Sequence, residues 1–176
     1  MTDGGLRLHI GGVEPRPGWT LVNVAPGPGV DVVGSCTDLG RFGDGTVAEI
    51  YASHVLEHLG FREELPRALA EFHRVLAGDG MLRISVPDLE ALARLVIRPD
   101  LDLGQRLFVM THLFGAQMDA HDFHKVGLSY DFLKYFLGRA GFTSAARVDD
   151  FHLFADSSAL RRFGVAISLN VEARKS

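Results

Sequence analysis

The feature that most constrains how this chain can fold is the change of hydrophobic period between residues 62 and 86. From Arg62 to Leu76 the apolar residues Leu65, Leu69, Phe72 and Leu76 recur at helical spacing, with polar residues opposite. Gly78-Asp79-Gly80 is expected to end that helix, because glycine commonly follows a helix C-terminus. Met81 to Val86 then reads as a strand closed by Pro87. A helix feeding directly into an apolar strand is the repeating unit of α/β folds.

The flanking segments extend this pattern. Leu6 to Ile10 alternates apolar and polar residues and stops at Gly11-Gly12, and Trp19 to Val24, Val30 to Val33 and Val47 to Ser53 read as three further strands. Pro15, Pro17 and Gly18 forbid a helix between the first two strands, and Leu39 to Gly45 reads as loop. Helices are expected over Leu89–Val96, over Leu103–Gly115, and from a Ser129 N-cap to Gly138 or Ala140. Two final strands are expected over Arg147–Phe154 and Val165–Ala173. The expectation is one α/β domain over residues 1–176, a mainly parallel sheet flanked by helices, with an antiparallel strand pair at its end.

Composition narrows the functional classes. With 47% hydrophobic and 23% charged residues among 176, the chain is globular rather than collagen-like, coiled-coil or disordered. A formal net charge of -4 offers no phosphate-tracking surface. No apolar run reaches the length of a membrane span, and Met1 to Gly5 lacks the regions of a signal peptide. The single cysteine, Cys36, cannot form an internal disulfide, which suits a reducing, cytoplasmic setting. Phe108, Phe114, Phe132 and Phe136, at helical spacings, are expected in the core.

Three segments together resemble a known family: LHIGG at 8–12, VAEIYASHVLEH at 47–58, and EFHRVLAGDGMLRISVPDLE at 71–90. The sequence is similar to short bacterial class I S-adenosylmethionine-dependent methyltransferases. The resemblance implies a Rossmann-like, seven-stranded-type sheet with its ligand outside the carboxyl ends of the strands. It places S-adenosylmethionine against His9, Gly11, Gly12, Asn23, Asp38, Leu39, Ser53 and His54. Asn23 stands where the family usually has an acidic residue on the ribose hydroxyls, so Asn23→Asp is expected to hold or improve affinity. Asp38 is expected to accept from the adenine amino group. Residues 97–128 become the substrate-recognition insertion. A Pro-rich loop stands where the family has its first helix.

The chain has eight histidines, and they cluster. His54-Val55-Leu56-Glu57-His58 matches the H-x-x-E-H zinc pattern literally. That motif needs both imidazoles on one helical face and a further ligand downstream, whereas here it follows a strand end and meets Gly60. No metal is therefore expected, and His58 with Glu57 should line the cleft mouth. A second group, His112 and His121-Asp122-Phe123-His124, falls in the insertion. Histidine titrates near neutral pH, so His124 is expected as general base, with Asp122 or Asp88 orienting it and His58 nearby.

Methyl transfer to a small-molecule or glycan-like acceptor is the function these readings imply. Within the resemblance, SHVLE replaces the N/D-P-P-Y/F signature of nucleic-acid and protein-amide methylation. The alternative is a binding or scaffold protein that keeps the fold without catalysis. A metal hydrolase or nicotinamide enzyme is disfavoured, the latter because no G-x-G-x-x-G follows the first strand.

Overall fold

The computed structural model describes residues 5–118 and 122–175. Its strands are β1 (Leu6–Ile10), β2 (Thr20–Asn23), β3 (Val32–Val33), β4 (Val47–Ser53), β5 (Leu76–Pro87), β6 (Ser144–Val148), β7 (Arg161–Arg162), β8 (Val165–Ala166) and β9 (Ser168–Arg174). The helices are α1 (Glu64–Val75), α2 (Leu89–Val96), α3 (Leu103–Phe114) and α4 (Tyr130–Arg139), with 3-10 turns at Leu56–His58 and Ser157–Ala159. Seven strands form one sheet in the order β3-β2-β1-β4-β5-β9-β6. Strands β1 to β5 are parallel, and β9 runs antiparallel to both β5 and β6. The expected Rossmann-like sheet and terminal antiparallel pair are present. The chain reverses its lateral direction at β1, between β2 and β4, which is where such sheets open a ligand crevice.

Alternation along the strands gives the sheet two unlike faces. Leu8, Ile10, Ile50, Ala52, Leu82, Ile84, Leu169 and Val171 join one buried cluster with Leu65, Leu69 and Phe72 of α1 and Leu133 and Leu137 of α4. The opposite face carries Arg7, His9, Glu49, Tyr51, Arg83 and Glu172, which pair across the strands. Arg83 bridges Glu49 and Glu172 there. Parallel neighbours usually need a crossover of about a dozen residues or more, yet β1 and β2 are joined by residues 11–19 alone, without a helix. In place of a helix, the segment after β6 folds back. Phe154 stacks on Tyr51 at 4.9 Å and on His9 at 4.0 Å, and Trp19 closes the group edge-on.

Several expectations shift. Gly78-Asp79-Gly80 is not a helix cap: Leu76 turns extended immediately after α1, and those glycines lie within β5. The strand expected over Arg147–Phe154 stops at Val148, because the following residues become the cover over His9 and Tyr51. Phe108, Phe114 and Phe132 are exposed rather than core, and Phe136 only flanks the main cluster. The interior is mainly aliphatic, with Phe72 and Phe142 the buried phenylalanines among the described residues. A smaller cluster of Leu92, Leu95, Leu101, Val109 and Ile167 ties α2 and α3 to the β7–β8 hairpin.

Candidate functional site

A cleft of about 310 Å³ opens at the carboxyl ends of the parallel strands, at the lower end of the roughly 300–1,000 Å³ usual for ligand pockets. Gly11 enters it from β1, Asn23 from β2, Ser35 and Cys36 from the loop after β3, and His54 and Val55 from the end of β4. Gly11 has φ +74°, and a side chain there would strike Val55 at 2.4 Å, so both conformation and space require glycine. Asn23 is held by its own surroundings. Its amide donates to the carbonyls of Gly11 and Gly12 at 3.3 and 3.1 Å, and its Oδ1 accepts from the Ala25 amide. The Cys36 thiol is buried, which pushes its pKa up to about 11.

The structure divides the residues expected to hold the cofactor. Gly11, Asn23 and His54 share the cleft. Gly12, His9 and Ser53 lie around a separate depression beneath Phe154 and Asp156. His9 is only 6% exposed, and burial lowers its pKa from 6.5 to about 4. Asp38 and Leu39 lie in a third depression beyond β3. There Asp38 accepts from the Gly40 amide, and the buried Leu39 gives its own amide to Glu71. Ser35 and Cys36 occupy the place beyond β3 expected for Asp38. Gly34-Ser35-Cys36 directly follows the strand, which was the available signal.

At the cleft's inner end, four titratable side chains converge. His54 takes the left-handed conformation, φ +54°, uncommon outside glycine and frequent at functional sites. Its amide donates to the Ser85 carbonyl at 2.8 Å. Ser168 spends its hydroxyl proton on the Ser157 carbonyl at 2.7 Å, so His54 Nε2, 3.2 Å away, is the donor in that pair. The reversal aims His54 Nδ1 at Glu57 Oε1, 3.2 Å distant. Glu57 is 2% exposed, and among the described residues neither of its carboxylate oxygens has a hydrogen-bond partner. The chain after the insertion is clamped onto this turn. Lys125 and Val126 donate their amides to the Glu57 carbonyl, and the Lys125 ammonium pairs with Glu64 at 3.0 Å.

That clamp delivers His124 to the same place. The His58 and His124 rings meet edge to face at 4.9 Å, and His58 Nδ1 lies 3.2 Å from the Phe123 carbonyl. Burial lowers the pKa of His124 below the usual histidine range. Of the two carboxylates expected to orient it, Asp88 instead caps α2, accepting from Glu90 and Ala91, and pairs with Arg147. Asp122 accepts from the Met118 amide. His121 lies outside the described residues. A second cavity of about 370 Å³ lies beyond this cluster, lined by Phe108, Thr111, His112, Asp122, His124 and Arg162 among others. His54 borders both cavities.

Comparison with known proteins follows the same lines. A family model described as a methyltransferase domain matches residues 12–84, spanning the end of β1 to β5. Among solved structures, an S-adenosylmethionine-dependent methyltransferase of Archaeoglobus fulgidus aligns at TM-score 0.61 and 16% identity, over 98% of this chain and 87% of that one. The chain thus carries a segment matching a methyltransferase domain, and it shares the fold of S-adenosylmethionine-dependent methyltransferases. A methyltransferase of Thermotoga maritima, described as a possible histamine N-methyltransferase, aligns at 0.58 and 16%, over 100% and 84% of the two chains. The 1,6-didemethyltoxoflavin-N1-methyltransferase of Burkholderia thailandensis, with bound 1,6-didemethyltoxoflavin and S-adenosylhomocysteine, aligns at 0.56 and 16%, over 98% and 72%. At these identities the structural matches speak for the fold alone. No protein of curated function matches the sequence.

S-adenosylmethionine, the cofactor that the resemblance implies, suits the cleft's chemistry. Gly11 has no side chain at the rim, Val24 and Leu59 give apolar walls, and Asn23 and Ser35 give polar groups. S-adenosylmethionine carries no phosphate, so the missing helix N-terminus after β1 removes nothing the cofactor needs. Among the described residues, no helix is long and apolar enough to cross a membrane.

Proposed function

We propose that this chain is an S-adenosylmethionine-dependent methyltransferase acting on a small-molecule or glycan-like acceptor held in the cavity between α3 and the β7–β8 hairpin. The observation that carries the reading is the shared border. His54 faces both the cleft and this second cavity, and His124 lines the latter beside it. The acceptor cavity combines an aromatic face, Phe108 with the Arg162 guanidinium 5.4 Å from its ring centroid, with the polar groups of Thr111, His112 and Asp122. Such a lining suits a ring-bearing, polar small molecule. The net charge of -4 does not favour nucleic acid.

Bound in the cleft, S-adenosylmethionine supplies a methyl group on a positively charged sulfur. Transfer of that methyl to an acceptor lone pair would leave the electron pair of the broken carbon–sulfur bond on sulfur. What the chain contributes is alignment and proton handling. His124, whose pKa burial lowers, lines this cavity where it can receive the acceptor's proton.

The test begins with calorimetry of S-adenosylhomocysteine, followed by a panel of hydroxylated, carboxylated and amino compounds screened by homocysteine release. Arg162→Ala should raise the acceptor KM while S-adenosylhomocysteine affinity is retained. Asp38→Ala, outside the cleft, should change neither. Cofactor binding with no turnover across the panel would favour the scaffold reading instead.

A further inference from the structure

We propose that Glu57, His58 and His124 form a binding site for a divalent first-row cation, zinc by its donor set. One ligand atom from each of the three lies within 4.8 Å of the others. Two imidazoles and a carboxylate are the protein ligands of open zinc sites, which keep a fourth position for water or substrate. Ligand bonds of about 2.0–2.2 Å require these atoms to close by on the order of an ångström, within reach of side-chain rotation.

A second observation is independent of that proximity. Glu57 is 2% exposed, and its carboxylate oxygens lack hydrogen-bond partners among the described residues. A buried ionised carboxylate without partners carries a large desolvation cost, which a bound cation offsets. His54 Nδ1 approaches Oε1 to 3.2 Å without a hydrogen bond, and Oε2 has no partner among the described residues. The imidazoles are prepared in the same sense. His58 directs Nδ1 at the Phe123 carbonyl, the kind of outer contact that fixes a ligand's tautomer and frees Nε2. His124 has Nδ1 buried without a partner while its ring meets the backbone at Leu113 and His112.

His54-x-x-Glu57-His58 therefore works differently from the two-imidazole helix its spelling suggests. His54 packs beside the carboxylate from outside, Glu57 and His58 bind from the 3-10 turn, and His124 is the downstream ligand, brought back by the clamp on Glu57. His124 also lines the acceptor cavity, so the open position faces it. That last placement rests on the proposed function, and the cation site itself does not. With metal bound, His124 is a ligand rather than the base, and the cation lowers the pKa of a coordinated acceptor hydroxyl.

The experiment uses chelator-stripped full-length protein titrated with zinc by calorimetry and with cobalt by visible absorption, and S-adenosylhomocysteine affinity is measured on each sample. The expected result is saturable binding of one equivalent, with cobalt d–d bands and a raised Tm. Glu57→Gln, His58→Ala and His124→Ala should each weaken zinc by more than about 100-fold. His54→Ala should weaken it by about 10–100-fold, as outer-shell changes do. His152→Ala, at an exposed histidine beside Asp150, should change nothing. Unchanged far-ultraviolet circular dichroism and cooperative thermal unfolding of stripped protein and variants show that they are folded. Non-saturating zinc uptake, or equal affinity in Glu57→Gln and wild type, overturns the cation site and leaves the methyltransferase reading standing. Loss of S-adenosylhomocysteine binding by wild type would strike that reading and leave the cation result to be judged alone.

Discussion

His9 and Asn23 show how a residue's surroundings override its identity. His9 has the sequence position of a cofactor contact, but its ring lies under Phe154, with Nδ1 buried and unpartnered. Its folded pKa of about 4 lies below the ordinary 6.5, so between those values the unfolded chain takes up a proton that the folded one refuses. The stability His9 confers is complete above pH 6.5 and drains away as pH falls toward 4. Wild type should therefore lose about 1–2 kcal/mol more than His9→Phe between pH 7 and pH 5, measured by urea unfolding. Equal losses would mean that the ring is not buried as described. For Asn23, the sequence suggests that aspartate would serve as well or better, whereas the folded site uses its amide as a donor to two carbonyls. A carboxylate cannot donate, so Asn23→Asp should cost about 1–2 kcal/mol of stability and weaken S-adenosylhomocysteine. A tighter calorimetric Kd would restore the ribose-facing role.

At the scale of elements, helix starts were legible and the bounds of the last strands were not. Ser129 and Asp102 cap α4 and α3 through side-chain bonds that short sequence patterns encode. Asp88 caps α2 in the same way and also pairs with Arg147 from β6. Asp88→Ala should cost about 1–2 kcal/mol as a lost cap. Arg147→Ala should cost less than about 1 kcal/mol, because its side chain is half exposed. Thermal or urea unfolding of both variants decides the order, and a larger loss for Arg147→Ala would make the ion pair the dominant contact. Strand β6 ends at Val148 although Phe151 to Phe154 continue in strand-like composition. Those aromatics gain more by covering the sheet than by extending its edge.

For the whole molecule, the decisive substitution is that of a returning loop for a helix. Tyr51, at 0% exposure, donates to Asp156 at 2.6 Å, joining the centre of the sheet to a segment more than a hundred residues later. Phe154→Ala should cost about 2 kcal/mol, short of a full core truncation because the ring is half buried. It should also speed limited proteolysis within residues 149–160. Unchanged protease protection would mean that the loop is held by Asp156 alone.

The chain's periodicities and its alternation of strand and helix were enough to specify a mainly parallel sheet, and the family resemblance implied the edge on which a ligand would sit. These are local properties, set by φ/ψ preferences and by alternation of apolar residues over a few positions. Which polar side chains meet at that edge is not local. Asp38 was expected beside the cofactor, but a tight turn sends it past the cleft. Glu57 was expected with His58 at the cleft mouth, but the 3-10 turn buries it while His58 lines the cleft. His124 reaches Glu57 and His58 only because the insertion returns and ties its backbone to that turn. The tertiary structure decided the site because burial and convergence depend on contacts between residues more than sixty positions apart, which no short pattern can carry.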